Sequence, residues 1–200
     1  MPIAQPVTKR RTFIMDCPQC QLPVGLPHRY FNPGELNCLV ALAAACSPSR
    51  IVEFGCNDGH AAAVILHNIP TIERYVGIDV MPGYVTKREC QRNEVPTHPG
   101  HLVRTDPRFL LLLSGNGSFD LRADDLGQCD FAFIDADHSR EGVLNDYWLA
   151  RQIVRRGGMI VFHDDNGLPA VQVSETLDEL NDGGAVIDHV AETWLAFERM

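Results

Sequence analysis

Short apolar runs alternate along this chain with longer stretches of helical spacing. Ile51-Val52-Glu53-Phe54, Tyr75-Val76-Gly77-Ile78, Phe131-Ala132-Phe133-Ile134 and Met159-Ile160-Val161-Phe162 are too short to be helices and read as strands. Strands are predicted at 50–55, 74–79, 101–105, 129–135 and 158–163. Helices are predicted from Pro33 to about Cys46 and at about 59–68, 82–92, 140–155 and 169–181. Pro33 suits a first helical turn, and Ser47-Pro48-Ser49 stops that helix. The leucines from Leu110 to Leu113 read as a short helix after the third strand. Strand and helix in strict alternation define an α/β fold with a parallel sheet and right-handed crossovers.

The end of the chain breaks the alternation. Ala185 to Val190 and Thr193 to Phe197 are strand-like and only two residues apart, which demands an antiparallel hairpin rather than a crossover. Residues 1–32 differ again: they are Pro-rich and irregular, and contain Cys17-Pro18-Gln19-Cys20 and the His28-Arg29-Tyr30-Phe31 cluster. The expected organisation is an N-terminal segment over 1–32, placed to act as a lid, and one α/β domain over 33–200.

Composition narrows the partners. Two hundred residues with 45% hydrophobic and 22% charged content suit one domain with a real core. A net charge of −9 argues against a nucleic-acid backbone, which needs a basic face. No apolar run approaches the roughly 18 residues of a membrane span, and no apolar stretch follows Lys9, Arg10 and Arg11 as a secretory signal would require. Seven cysteines, an odd number spread along the chain, read as free thiols in a reducing cytoplasm. A lone C-x-x-C lacks the second ligand pair of a zinc site.

Chemistry concentrates where the strands end. Gly55-Cys56-Asn57-Asp58-Gly59 closes the first strand, and the second strand ends on Asp79, twenty residues past Gly59. Strand, Gly-rich turn, helix, strand and terminal carboxylate form the pattern of a nucleoside-binding βαβ unit, with the acid suited to a ribose diol. Glu53 and Asp58 disfavour a dianionic pyrophosphate and suit a cationic ligand. The fourth strand runs into Asp135-Ala136-Asp137-His138, and the fifth into His163-Asp164-Asp165-Asn166. Ligands of open α/β sheets bind beyond such strand ends. That many acids repel one another unless a cation neutralises them, and their oxygens fit Mg2+ or another hard divalent ion.

The glycine loop resembles motif I of the class I S-adenosylmethionine-dependent methyltransferases, with Asn57 in place of the usual middle glycine. The I-D-x-D-H and G-G-x-I-x-x-H-D segments resemble the metal-dependent small-molecule O-methyltransferases, over roughly residues 33–198. The resemblance implies a Rossmann-like, mostly parallel seven-stranded sheet with one antiparallel strand. It also implies transfer of a methyl group from S-adenosylmethionine to a hydroxyl of a small molecule. Carried onto this chain, Glu53 and the loop of Gly55, Cys56, Asn57 and Gly59 hold the methionine end of the cofactor, with Asp79 and Val80 at the ribose and Asp106 near the adenine amine. Asp135, also beside the cofactor, is the first metal ligand and Asp164 the second. His163, Asp165 and Asn166 compete for the third place, with Asp165 preferred. His138 is the general base. Three rival readings stand beside this one: a metal-independent N- or C-methyltransferase, a non-catalytic binding protein of the same fold, and a nicotinamide-dependent oxidoreductase. A homodimer is compatible with all of them, and a cytoplasmic location is expected.

Overall fold

Residues of the central strands alternate between two apolar faces, so both faces must be covered. Ile51, Phe131, Phe133, Met159 and Val161 pack into one core cluster, and Val52, Ala132, Ile134, Ile160 and Phe162 into the other. A computed structural model of the chain, which describes residues 10–27, 30–32, 34–91, 93–168 and 170–200, shows how this is done. The strands are β1 (Thr12–Phe13), β2 (Arg50–Phe54), β3 (Arg74–Val80), β4 (Phe109–Ser114), β5 (Cys129–Ile134), β6 (Val154–Phe162), β7 (Ile187–Val190) and β8 (Ala196–Arg199). The helices are α1 (Glu35–Ala45), α2 (His60–Asn68), α3 (Ala123–Leu126), α4 (Arg140–Ile153) and α5 (Val173–Asp182). Helices α1 and α2 cover the first face through Leu39, Leu42, Ala62 and Ile65. Helices α4 and α5 cover the second through Val143, Tyr147, Ala150 and Leu177.

The sheet runs β1-β7-β8-β6-β5-β2-β3-β4. Only β8 is antiparallel, pairing with β6 on one side and β7 on the other. Strand order reverses between β2 and β5, which pair in parallel at the centre, and an open sheet presents its ligand crevice at that switch. No helix among the described residues is long and apolar enough to cross a membrane.

Five expectations change, the first two together. The third long parallel strand is β4 at Phe109–Ser114, not 101–105, which forms turns. A run of leucines is a poor discriminator between helix and strand. Here pairing of Tyr75 with Phe109 through Val80 with Ser114 overrides leucine's helical propensity. The helix expected at 82–92 is only a 3-10 turn at Glu89–Gln91, because Pro82-Gly83 breaks its start and its side chains reach across the crevice instead. The hairpin is wider than two residues: Thr193 and Trp194 lie in the turn, and β8 starts at Ala196. The irregular N-terminal segment contributes an eighth strand, with Thr12 opposite His189 and Phe13 opposite Val190. Pro33, expected in the first turn of α1, lies outside the described residues.

That edge strand is held by charge as well as by its ladder. Arg10 makes a two-pronged pair with Asp165 at 2.6 and 2.8 Å and also bonds Asp178. The Asp165 side chain is only 2% exposed. Burial alone would raise its pKa, but His189 and Arg10 hold it below the usual carboxylate range. A group so depressed adds stability above its unfolded pKa of about 4 and loses it as the pH falls. Arg10→Ala, which strips one partner from a buried charge, is expected to lower unfolding free energy by about 1–3 kcal/mol in urea titrations at pH 7. The loss should shrink toward pH 3.

Candidate active site

A cavity of about 300 Å3 opens at the C-terminal ends of the parallel strands. At its floor Gly55 turns the chain sharply at φ +82, with Asp135 O only 2.2 Å from where a Cβ would stand. Only glycine lets the β2 loop cross the end of β5 so closely. Asn57 also adopts a positive φ, +46, a conformation asparagine tolerates better than most residues. The departure from glycine at this position is therefore accommodated. The Asn57 side chain donates to Glu94 O at 2.7 Å, tying the loop to the segment above it.

Asp79 ends β3 facing this loop. It accepts from Asn57 N at 2.6 Å and Val80 N at 2.7 Å. Burial nevertheless raises its pKa to about 6, with the two N–H groups offsetting part of the effect. Glu53 is fully enclosed and accepts from the Tyr75 hydroxyl at 3.0 Å. Burial, then the nearby Asp135, Asp79 and Asp58, push its pKa well above the usual value. The described residues lining the cavity include many carboxylates and no lysine or arginine. The cavity thus favours a ligand that brings positive charge.

The most concentrated chemistry lies at the ends of β5 and β6. Asp135, His138 and Asp164 each offer a ligand atom, all within 4.8 Å of one another. His138 Nε2 stands 3.0 Å from Asp164 Oδ2 and 3.9 Å from Asp135 Oδ1. His163 lies beneath them, its Nδ1 3.0 Å from Asp164 and 3.3 Å from Asp135, and its Nε2 3.2 Å from Glu35. Burial disfavours a charged imidazole, but Asp135 and Asp164 outweigh it and raise His138 to about 10. His163 is raised well above its ordinary value against the same burial. Asp164 is correspondingly held low by the two histidines. Its backbone sits at φ +58, the kind of strained conformation that clusters at working sites.

Most residues singled out from the sequence meet at this cavity: Glu53, Gly55, Cys56, Asn57, Asp79, Val80, Asp135, His138 and Asp164 all line it. Gly59 stands behind it at φ +91, packed against Val103 and Gly100, as the N-cap of α2. Two do not reach it. Asp106 precedes β4 instead of following a strand, so it sits at the opposite edge of the sheet. There it pairs with Arg108 at 2.6 Å, and Arg108 bonds Leu66 O at the foot of α2. Asp165 turns away from Asp164 into its pairs with Arg10 and His189.

The sequence reading missed Glu35, which is fully buried and also accepts hydrogen bonds from Asn32 N and Trp194 N. An acid opening the otherwise apolar ELNCLVALAAA helix was the available signal, but it reads as ordinary capping. The segment after β3 was also missed as a cover. Gln91 donates to Ala136 O and accepts from His138 N, while Arg88 donates to Ala170 O and Gln172. Tyr30 and Phe31 line the cavity, and Phe31 packs 5.0 Å from the His163 ring. Their neighbours His28 and Arg29 lie outside the described residues. All seven cysteines are free.

A family model described as a methyltransferase domain matches residues 52–164, from β2 through Asp164. This is more than half of the chain, and the protein belongs to that methyltransferase family. No curated protein matches it. Among solved structures, a cofactor-bound protein from MTB superposes with a TM-score of 0.60 at 21% identity, covering 86% of this chain and 82% of its own. An O-methyltransferase from Bacillus cereus in complex with SAH gives 0.59 at 16%, covering 88% and 84%. The O-methyltransferase TomG from Streptomyces achromogenes, in complex with SAM, gives 0.57 at 17%, covering 84% and 80%. At such identities the likeness is one of fold.

The glycine turn gives a direct test. Gly55→Ala places a methyl group on the Asp135 carbonyl in a backbone region L-residues avoid. It is expected to lower unfolding free energy by more than about 2 kcal/mol in chemical denaturation.

Proposed function

We propose that the protein transfers the methyl group of S-adenosylmethionine to a hydroxyl of a small molecule, with a divalent cation held by Asp135 and Asp164. The observation that carries this reading is the convergence of those two carboxylates, from adjacent strand ends, on His138 at the cavity wall. The donor pocket follows from the same edge of the sheet. Asp79 takes the ribose hydroxyls, the Gly55–Gly59 loop lies against the methionine moiety, and the carboxylates around Glu53 favour the sulfonium and ammonium charges.

The cation site passes a chemical test. Two carboxylate oxygens suit Mg2+ or Mn2+, and the raised pKa of the neighbouring His138, about 10, marks a place where these acids call for positive charge. Bound there, the cation would acidify the acceptor hydroxyl. With Asp135 and Asp164 holding the cation, less would favour a proton on His138, and its imidazole would be the group placed to take the hydroxyl proton. Asp165, whose oxygens are filled by Arg10 and His189, is left out of this set. The rest of the chain's work is to hold nucleophile, methyl and sulfur in line and to keep water out, a task that falls to Phe31, Trp194 and Gln91 in the cavity lining. Sulfonium and alkoxide charges cancel as they react, so a dry cavity favours the transition state.

Asp135→Ala is expected to abolish methyl transfer to a hydroxylated acceptor and the calorimetric heat of Mn2+ binding, with S-adenosylhomocysteine affinity kept within about threefold. His138→Gln is expected to slow turnover about 10^2- to 10^4-fold and to keep Mn2+ binding. Loss of Mn2+ binding in His138→Gln would make His138 a ligand instead. Turnover indifferent to chelator would favour the metal-independent reading.

Asp79 adds a pH dependence. The ribose diol donates to the carboxylate, so binding selects the ionised form of a group whose pKa is about 6. S-Adenosylhomocysteine affinity is expected to be full above pH 6 and to fall about tenfold per unit below it. Asp79→Asn should bind weakly and show none of that slope; an equal slope in this variant would assign the titration elsewhere.

A further inference from the structure

The two edges of the sheet are built differently. At one edge β1 is only two residues long, and Arg10 and Arg11 precede it, Arg11 holding Asp188 at 2.8 Å. Short edges beside charged side chains are how sheets avoid unwanted pairing. At the other edge β4 reads Phe-Leu-Leu-Leu-Leu-Ser, six residues with no charge, proline or glycine. Leu110 is 41% exposed, and the three leucines after it are only partly buried.

The backbone of β4 shows which groups face out. Successive residues of a strand direct their N–H and C=O groups to opposite sides. The carbonyls of Arg108 and Ser114 accept from Tyr75 N and Met81 N, both at 2.9 Å, so the even-numbered residues of β4 face β3. Phe109, Leu111 and Leu113 therefore face outward. Phe109 N donates to Asp106 O at 3.0 Å. Among the described residues, the N–H groups of Leu111 and Leu113 and the carbonyls of Phe109, Leu111 and Leu113 have no hydrogen-bond partner.

We propose that this edge is a homodimer interface, in which β4 pairs antiparallel with β4 of a second copy and the two sheets become one. A two-fold axis through Leu111 matches every open donor to an open acceptor. Leu111 exchanges N–H and C=O with its own counterpart, and each Leu113 N–H meets a Phe109 carbonyl. The same register sets Leu110 opposite Leu112 of the second copy, apolar on apolar, on both sides of the axis. A second copy fits because the strand is its own complement: the pairing puts no charge opposite a like charge within β4, and the ends differ in sign. Arg108, which also holds Asp106, stands at the start. Asp120 stands at the end, its Oδ2 3.7 Å from where a Gly115 Cβ would lie. Antiparallel pairing brings the start of one strand to the end of the other, so Arg108 approaches Asp120 at both ends of an isologous contact. The pairing does not depend on the methyl-transfer reading.

The test is sedimentation velocity of the full chain at about 100 μM, where even a modest two-fold pair is populated. The wild type is expected at twice the 22.2 kDa of one chain. Leu111→Pro removes an outward N–H that its own sheet does not use, which an edge strand tolerates. It should sediment as a monomer with unchanged far-UV circular dichroism. Leu110→Lys keeps every backbone group and sets a charge on the apolar seam twice over. It should raise the dimer dissociation constant at least about tenfold, and it carries the test if Leu111→Pro does not fold. The amides of Leu111 and Leu113 should exchange with deuterium more slowly in the wild type than in Leu110→Lys. A monomeric wild type overturns the pairing and leaves the edge to a strand of another protein. A dimer that persists unchanged in Leu110→Lys overturns it too, and puts the contact on another surface.

Discussion

A buried carboxylate, Asp164, and a half-buried one, Asp135, brought together at neighbouring strand ends must find compensating positive charge, and the upper half of this molecule is arranged around that requirement. Asp135 and Asp164 are joined by His138 above and His163 below. His163 in turn needs an acid on its far side, and Glu35 supplies it from the first turn of α1. Glu35 uses its other oxygen to accept from Trp194 N in the turn before β8. One chain of charge and hydrogen bonds therefore fixes the N-terminal helix, the β7–β8 turn and the loops after β5 and β6 relative to one another. Charges at such depth hold only when paired and hydrogen-bonded, so the packing of α1 and the geometry of the cavity are parts of one problem.

The parts of this arrangement set by local pattern were legible in the chain. Strands β2, β3, β5 and β6 are short apolar runs closed by polar residues, and their ends carried most of the site with them. What was not legible depended on pairing partners. The sequence 101–105 and the leucines at 110–113 offer similar local signals; only the ladder with β3 makes the second a strand. That single exchange leaves Asp106 at the edge of the sheet away from the cavity and brings the residues after β4, from Asn116 to Phe119, into its lining. Glu35 was invisible for a different reason: its partner His163 is 128 residues away, and nothing in a helix-opening glutamate announces it.

Family likeness explains the fold and leaves the local chemistry to this chain. The region matched as a methyltransferase domain ends at Asp164, before Asp165 and the hairpin that anchors β1. Asn57 shows how a pattern can be kept while a residue changes. The motif position needs a left-handed backbone, glycine is the usual answer, and asparagine reaches the same φ while adding a bond to Glu94 O. The constraint acts on backbone conformation first and on residue type through it.

Asp164 and Asp165 make the same point with charge. They are neighbours in sequence, both buried and both held below the usual carboxylate range, yet they serve different ends. Asp165 has a guanidinium for its main partner, and arginine does not give up its proton in a protein. That pair can only be structural, and it clamps the edge strand to the sheet. Asp164 is balanced by imidazoles alone, whose charge is conditional on what else surrounds them. A cation or a substrate hydroxyl at the cavity can therefore take over part of the histidines' role and change what His138 is able to do. Of two adjacent aspartates, Asp165 has a permanent charge beside its histidine, and only Asp164 is balanced by titratable partners alone, so only its balance can shift with a proton.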